Sequence, residues 1–321
     1  MYNTEFKERF LKEHVVNGKS YSDETKRVAR ILFNKIAKVE IDKQQDISEF
    51  DKSSFELVLK ELKATTIRSL QNSISTIEQY INFVIETGKI SKTKGNVASA
   101  YSKKGDISQF LDKLAEENMI LSKSEIDSLS GHADNAQDGV VLNLLFDGIS
   151  HKRKFIELIN ITINDVDEYR LQIKIPQLLD EDTGEILPPR IVPISKETLT
   201  MINAAMKEKK YASVKGKTNR SYKIADSQYI LRGLRNNFQI KWENVSQRII
   251  RFSDVNDYPY LNATNIAYSG QIHYARKLIE QEGLTIDEAC KRIMKRFNIN
   301  ENESSFFYLK ARIEKASKKF E

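Results

Sequence analysis

The stretch Glu157-Leu-Ile-Asn-Ile-Thr-Ile-Asn-Asp165-Val-Asp167 stands between two kinds of pattern, and its reading decides the fold. Before it, Val140 to Phe146 (VVLNLLF) is an apolar run whose sequel favours a buried helix. Ser122 with Glu125 has the spacing of a capping box ahead of Ile126 and Leu129. After it, Glu168 to Ile175 (EYRLQIKI) alternates apolar and polar residues as a strand does, Asp182-Thr183-Gly184 supplies a turn, and Arg190 to Ile194 (RIVPI) makes a second short strand. A small hairpin is expected there. Beyond Ser195 the pattern is mostly helical, over Glu197 to Met206, Glu243 to Phe252, Gly270 to Gln281, Ile286 to Phe297 and Ser304 to Ser317.

The first hundred residues read as all-helical. From Glu24 to Val39 the apolar residues Val28, Ile31, Leu32, Ile36 and Val39 recur at helical spacing; Phe55, Leu57, Val58, Leu59 and Leu62 mark a second helix. A third starts near Thr65 or Thr66, whose hydroxyls can cap it, and runs to Gly88. The polar stretch Ser91 to Asp106 then reads as a linker. At 321 residues the chain suits about two domains of ~150 residues each. With 40% hydrophobic residues it is too apolar to be mainly disordered, and no apolar run approaches the ~20 residues of a membrane span. The charged N-terminus lacks a signal-peptide pattern, so the cytoplasm is the expected location. One cysteine, Cys290, excludes an internal disulfide, and four scattered histidines make no ligand cluster, so neither metal nor cofactor is expected.

Charge is segregated along the chain. Residues 1–105 carry net +5, residues 106–195 net −9 and residues 196–321 net +10. Between Lys207 and Arg251 there are 12 Lys or Arg against Glu208, Asp226 and Glu243, interleaved with Tyr211, Tyr222, Tyr229, Phe238 and Trp242. Such density is an electrostatic footprint for phosphate, or else an ordinary solvated face.

The sequence resembles the phage integrase, or tyrosine recombinase, family. Glu157 to Asp167 is similar to the family's Glu-Leu-x-x-Leu-x-x-x-Asp-Ile-Asp signature, Asp182-Thr-Gly184 to its Lys-Thr-Gly turn, RIVPI to its Arg-x-Val-Pro-Leu strand, and the Thr66-Ile67-x-x-Leu70 region to a helix start in its core-binding domain. The resemblance implies a mainly α fold with a small β-sheet (α+β) in two domains. These are a helical DNA-binding core-binding domain at residues 1–90, a linker at 91–106 and a catalytic-like domain at 107–321.

The family cleaves DNA by attack of a tyrosine hydroxyl on a phosphodiester, with two arginines, a lysine and histidines around it. Here the first arginine position is Lys154, with Arg153 beside it, and a lysine lacks the planar fork of arginine. The lysine position is Asp182, the His-x-x-Arg positions are Thr264 and Ala267, and a second histidine position is Ile299. Tyr308 alone stands in the nucleophile's place, as a vestige or as an aromatic on an amphipathic helix. The resemblance therefore implies a non-catalytic, sequence-specific regulator on a recombinase fold, akin to the integrase-like repressors that maintain lysogeny in temperate phages. Its partner is double-stranded operator DNA; a protein co-regulator and the oligomeric state are left open. The alternatives are a divergent active recombinase using Tyr308, or an architectural DNA-bending protein. Expected DNA contacts are Thr66, Arg68 and Asn72 on the third helix, Lys92 and Lys94 in the linker, and Arg153, Lys154, Arg248 and Arg251 in the second domain. Lys215, Lys217 and Arg220 are expected to touch phosphate from a flexible polar segment.

Overall fold

The computed structural model describes the chain apart from residues 17, 18, 92, 94, 103–106, 113–117, 216, 217, 236 and 318–321. It divides into two compact units, Met1–Glu117 and Asn118–Glu321. Both are mainly helical, and the second carries the small sheet, in agreement with the expected α+β class.

The first unit comprises α1 (Thr4–Glu13), a short antiparallel pair β1 (Val15–Val16) and β2 (Lys19–Ser20), α2 (Asp23–Lys43), α3 (Lys52–Glu61), α4 (Ile67–Glu86) and α5 (Ser99–Ser102). The helix starts are set by side-chain oxygens: Ser22, Asp51 and Thr66 accept hydrogen bonds from the backbone N–H groups of Thr25, Ser54 and Ser69. Rings of Phe10, Phe33 and Tyr80 meet edge to face in the core. One part of the helical reading is corrected. Val28 and Ile31 are 54% and 48% exposed, and Leu57 is exposed too; the buried stripe of α2 is Ala29, Leu32, Phe33, Ile36 and Ala37, one position round from the face inferred for the helix.

The linker is corrected as well. Ala98, Tyr101, Ile107 and Phe110 are buried in this unit's core, and the Tyr101 hydroxyl donates to Glu56 at 2.7 Å. The described part of the stretch at 91–106 thus belongs to the first unit, whose boundary falls after Glu117, and its lysines masked that apolar anchoring.

A buried ion pair crosses the first core. Lys7 Nζ lies 2.6 Å from Glu40, with both side chains excluded from solvent, and Glu40 also accepts from the Ile47 N–H. Burial raises the Glu40 carboxyl above its ordinary range. Burial pushes the neighbouring Asp46 upward too, but the charge of Lys7 and hydrogen bonds from Ser48 outweigh it and leave that carboxyl lowered.

The second unit comprises α6 (Lys123–Gly131), α7 (Ala136–Asp147), α8 (Lys152–Asn160), β3 (Val166–Asp167), β4 (Gln172–Ile175), β5 (Leu178–Leu179), β6 (Ile186–Leu187), β7 (Arg190–Pro193), α9 (Lys196–Lys207), β8 (Lys210–Lys215), β9 (Thr218–Lys223), α10 (Trp242–Val255), α11 (Ala263–Glu282), α12 (Ile286–Arg296) and α13 (Glu303–Ser317). The Ser122–Glu125 capping box forms as expected. Strands pair in the order β3-β4-β7, all antiparallel, with Ile173 opposite Val192 and both buried. The 178–187 excursion between β4 and β7 carries its own short pair, β5 with β6. Helix α7 is buried on every side, so its sequence shows no apolar stripe.

Two readings after Ser195 change. The β8–β9 hairpin lies where the pattern was taken as helical or loose, so Arg220 sits on a paired strand; Lys217 lies outside the described residues. Helix α11 starts at Ala263, capped by Asn262, not at Gly270. Gly270 is internal because α11 crosses α7 so closely that a Cβ there would lie 1.9 Å from the Phe146 carbonyl oxygen.

Removing one partner of a buried pair strands the other charge. Lys7→Met is expected to cost about 3–5 kcal/mol in urea unfolding followed by circular dichroism. Lys7→Met combined with Glu40→Gln, which keeps an acceptor for Ile47, is expected to cost clearly less. Equal losses in the two variants would show that charge pairing is not what Lys7 contributes.

Candidate nucleic-acid interface

The segment at 157–167 organises the second unit through its acidic residues. Glu157 is buried and accepts from Arg190 Nε at 2.9 Å, from the Ser150 N–H at 2.8 Å and from Asn298 Nδ2 at 3.0 Å. Arg190 completes the node by donating to the carbonyls of Gly148 at 2.9 Å and Arg296 at 2.7 Å. Asp165 caps the turn that follows α8 by accepting from the Thr162 N–H and hydroxyl, and Asp167 accepts from the Arg170 N–H ahead of β4.

The run His151-Lys152-Arg153-Lys154 is split in two by the backbone. Arg153, Lys154 and Phe155 have φ values of 51°, 54° and 58°, a left-handed turn that non-glycine residues seldom adopt. It directs Arg153 and Lys154 toward the acidic turn between β5 and β6. Arg153 donates to Asp180 at 2.8 Å and Glu185 at 2.7 Å, and Lys154 to Asp182 at 2.7 Å. Hydrogen bonds from Arg153 hold Asp180 below the usual carboxylate range, and the Asp182 hydrogen bond raises Lys154. Asp182 is therefore the counter-ion of Lys154, and the two cations expected to face DNA are met by carboxylates of their own chain.

His151 and Lys152 turn the other way, into a pocket of about 200 Å³ that also holds Ala267, Ile299, Tyr308 and Arg312. Three positions picked out in the sequence thus converge: Ala267, Ile299 and Tyr308. Thr264 joins them through its hydroxyl, 3.3 Å from His151 Nε2. Among the described residues, the pocket lining contains two cations, Lys152 and Arg312, and no carboxylate. Burial, then the charge of Arg153, lowers Lys152. Burial lowers Arg312, whose guanidinium stacks 3.4 Å from the Tyr268 ring centroid and donates to Gln271 at 2.7 Å. Tyr308 itself is 64% exposed. His151 and Lys152 were legible as part of the basic run, but spacing from Glu157 drew attention to Arg153 and Lys154. Arg312, one helical turn beyond Tyr308, was open to the same spacing argument.

Arg248 is withdrawn from the surface on which it was expected, and Arg251 is half-buried. Arg248 is only 6% exposed and lies 3.4 Å from Asp138, its guanidinium 4.6 Å from the Tyr211 ring centroid. Arg251 lies 3.5 Å from Asp138 and contacts the Tyr211 hydroxyl. On α10, Ile249 and Phe252 are buried while Ile250 is exposed, and Asp138 on α7 pairs with both arginines. They help line a cleft of about 450 Å³ between the β8–β9 hairpin and α10, whose other described walls include Arg235, Lys241, Asn237, Asn244 and Gln247 and no carboxylate. Arg235 and Lys241 were inside the basic run but not singled out, because nothing local distinguishes a cleft wall from a solvated loop.

In the first unit, Arg68 and Asn72 lie one turn apart on α4 and are both exposed, as is Thr66, whose hydroxyl also caps the helix. Lys92 and Lys94 lie outside the described residues.

The family described as "MrpR, N-terminal core-binding domain" matches residues 1–86, and that described as "MrpR, C-terminal catalytic domain" matches residues 120–319. The chain is 25% identical over 311 residues to the SPbeta prophage-derived uncharacterized protein YopR of Bacillus subtilis (strain 168), a match covering 93% of this chain and 89% of that protein. Among solved structures it is similar to a lambda integrase dimer bound to a COC' core site, at 10% identity and TM-score 0.46 over 97% of this chain and 95% of the other. It is also similar to the Tn1549 transposon integrase in complex with circular intermediate DNA, at 15% identity and TM-score 0.43 over 98% of each chain.

The two basic sites of this unit differ in what their loss should do. Arg190→Met leaves Glu157 buried without its cation and is expected to cost about 3–5 kcal/mol, followed by the fluorescence of Trp242, the one tryptophan of the chain. Lys154→Ala breaks an exposed pair and is expected to leave the midpoint nearly unchanged. A loss from Lys154→Ala as large as that from Arg190→Met would refute this division.

Proposed function

This chain belongs to the MrpR family, matched in both its core-binding and its catalytic domain, and on that premise we propose that it binds a specific duplex DNA site without cutting it. It acts as a transcriptional regulator, the repressor that holds a prophage in lysogeny. The prophage origin of its Bacillus subtilis relative supports that setting. The observation that carries the non-catalytic reading is the pocket around Tyr308. Ala267 and Ile299 present no donor to a developing oxyanion there, and Asp182 is committed to Lys154. Each missing donor costs roughly 3 kcal/mol, about a hundredfold in rate, so two such losses remove about four orders of magnitude.

Binding without cleavage needs only the cations that remain. In the second unit these are the carboxylate-free cleft with Arg235 and Lys241 and the Lys152 side of the Tyr308 pocket; in the first they are Arg68 with Asn72 on α4. Arg and Asn at that spacing can read base edges, while the cleft cations neutralise phosphates. One observation favours a second reading, a divergent active recombinase: Tyr308 is exposed and shares its pocket with Lys152 and Arg312, two cations without a carboxylate between them.

Two measurements test these readings. Replacing Arg235 and Lys241 together by Gln is expected to weaken duplex binding and to lower the slope of log affinity against log salt by about 1.8, or ~0.9 for each phosphate that is no longer neutralised; an unaltered slope removes the cleft from the interface. With a nicked suicide duplex, the wild-type chain is expected to form no covalent adduct, and Tyr308→Phe to bind within about tenfold of wild type, the effect of one missing hydrogen bond. An adduct formed by wild type and absent from Tyr308→Phe would establish the recombinase instead.

A further inference from the structure

A second basic cavity lies on later turns and another face of α11, away from the Tyr308 pocket. It is a half-open concavity of about 700 Å³ between α11, the last turns of α12, the end of β7 and the start of α6. Six cations line it, Lys123, Arg190, Lys277, Arg292, Lys295 and Arg296, against the two carboxylates of Glu197 and Glu282.

Several of these charges are already engaged. Arg190 is held by Glu157, Arg292 lies 2.5 Å from Glu282, and Lys123 pairs with Asp127. The Arg296 guanidinium lies flat over the Tyr274 ring, 3.5 Å from its centroid, and donates to the carbonyls of Asp147 at 2.8 Å and Pro193 at 2.6 Å. That leaves Lys277 on α11 and Lys295 on α12, both exposed and neither in an ion pair with a described residue. The same lining includes the apolar side chains of Ile191, Ile194, Leu278 and Ile293. His273 records the local field: burial first, then the charges of Lys123 and Lys277, lower its pKa. A smaller concavity that shares Lys123, His273 and Lys277 extends the same basic surface along α11.

A concave site of a few hundred Å³ with an apolar wall and a few converging polar groups has the size and chemistry of a small-molecule site. A cleft lined mostly by one sign of charge concentrates ligands of the other. We propose that this cavity binds a nucleotide-sized molecule carrying two or more phosphate groups, with the phosphates between Lys277 and Lys295 and the rest of the ligand against Ile191, Ile194 and Tyr274. The site is independent of the DNA-binding reading, since its cations are not those of the α10 cleft or of the Tyr308 pocket.

The test titrates the full chain, without DNA, with inorganic pyrophosphate and with ADP in a calorimeter. Both are expected to bind saturably, and Lys277→Gln with Lys295→Gln to weaken both tenfold or more. Lys35→Gln with Lys60→Gln, which removes the same charge from exposed positions of the first unit, is expected to leave them within twofold. Restoring charge with Lys277→Arg and Lys295→Arg should recover binding, which separates lost charge from a disturbed fold. Absence of saturable binding by the wild-type chain, or equal losses in the two Gln pairs, overturns the proposal. It is also overturned if a duplex displaces pyrophosphate and the Lys277→Gln with Lys295→Gln pair weakens duplex binding in parallel, because the cavity would then be part of a DNA surface.

Discussion

The ion pair between Glu157 and Arg190 is the constraint around which the second unit is arranged. A carboxylate and a guanidinium withdrawn from water each lose several kcal/mol of hydration, which their mutual attraction offsets only if their other hydrogen-bonding positions are filled. Here they are filled by backbone from distant parts of the chain: the Ser150 N–H before α8, the Gly148 carbonyl after α7 and the Arg296 carbonyl at the end of α12. A pair of charges thus fixes where one strand, two helix ends and a loop must meet. Gly148 belongs to the same constraint, since with φ of 119° it lets its carbonyl reach Arg190, and a Cβ there would lie 2.9 Å from the Arg296 oxygen.

From that node the basic residues divide into groups with different physics. Some are neutralised by carboxylates of the chain itself. Arg248 is drawn to Asp138, and Arg153 and Lys154 are met by Asp180, Glu185 and Asp182. The excess of carboxylates at residues 106–195 accounts for this, because it places counter-ions beside cations that a linear reading leaves free. Others face concave surfaces without carboxylates, as Arg235 and Lys241 do beside α10 and Lys152 and Arg312 do beside Tyr308. Charges of this second kind keep a field to offer an external phosphate.

The shape of the Tyr308 pocket is set by apolar packing behind it. Ala267 on α11, Ile299 after α12 and Tyr308 on α13 converge because those helices pack around Cys290, Ile293, Leu309 and Ile313. Packing and reactivity are separable because the first is carried by apolar atoms behind the pocket and the second by donors at its mouth.

The sequence by itself determined most of the helices and the central strands in their order, though not the β8–β9 hairpin. Capping residues at Ser122 and Thr66, the alternation of 172–175 and 190–193, and the helical spacing of α9, α12 and α13 are local properties, readable because backbone hydrogen bonding and side-chain periodicity act over a few residues. Convergence of Ala267, Ile299 and Tyr308 was legible too, through resemblance to a known arrangement. What tertiary structure alone decided is which face of an element is inside and which charge meets which. Val28 is exposed because α2 turns Phe33 inward, the lysine-rich stretch after α4 is anchored by Tyr101 and Phe110, and Gly270 is internal because α11 presses on Phe146. Arg248 is buried because Asp138, more than a hundred residues earlier, waits on the neighbouring helix. Burial and pairing energies depend on groups brought together by folding, so no window of local sequence contains them.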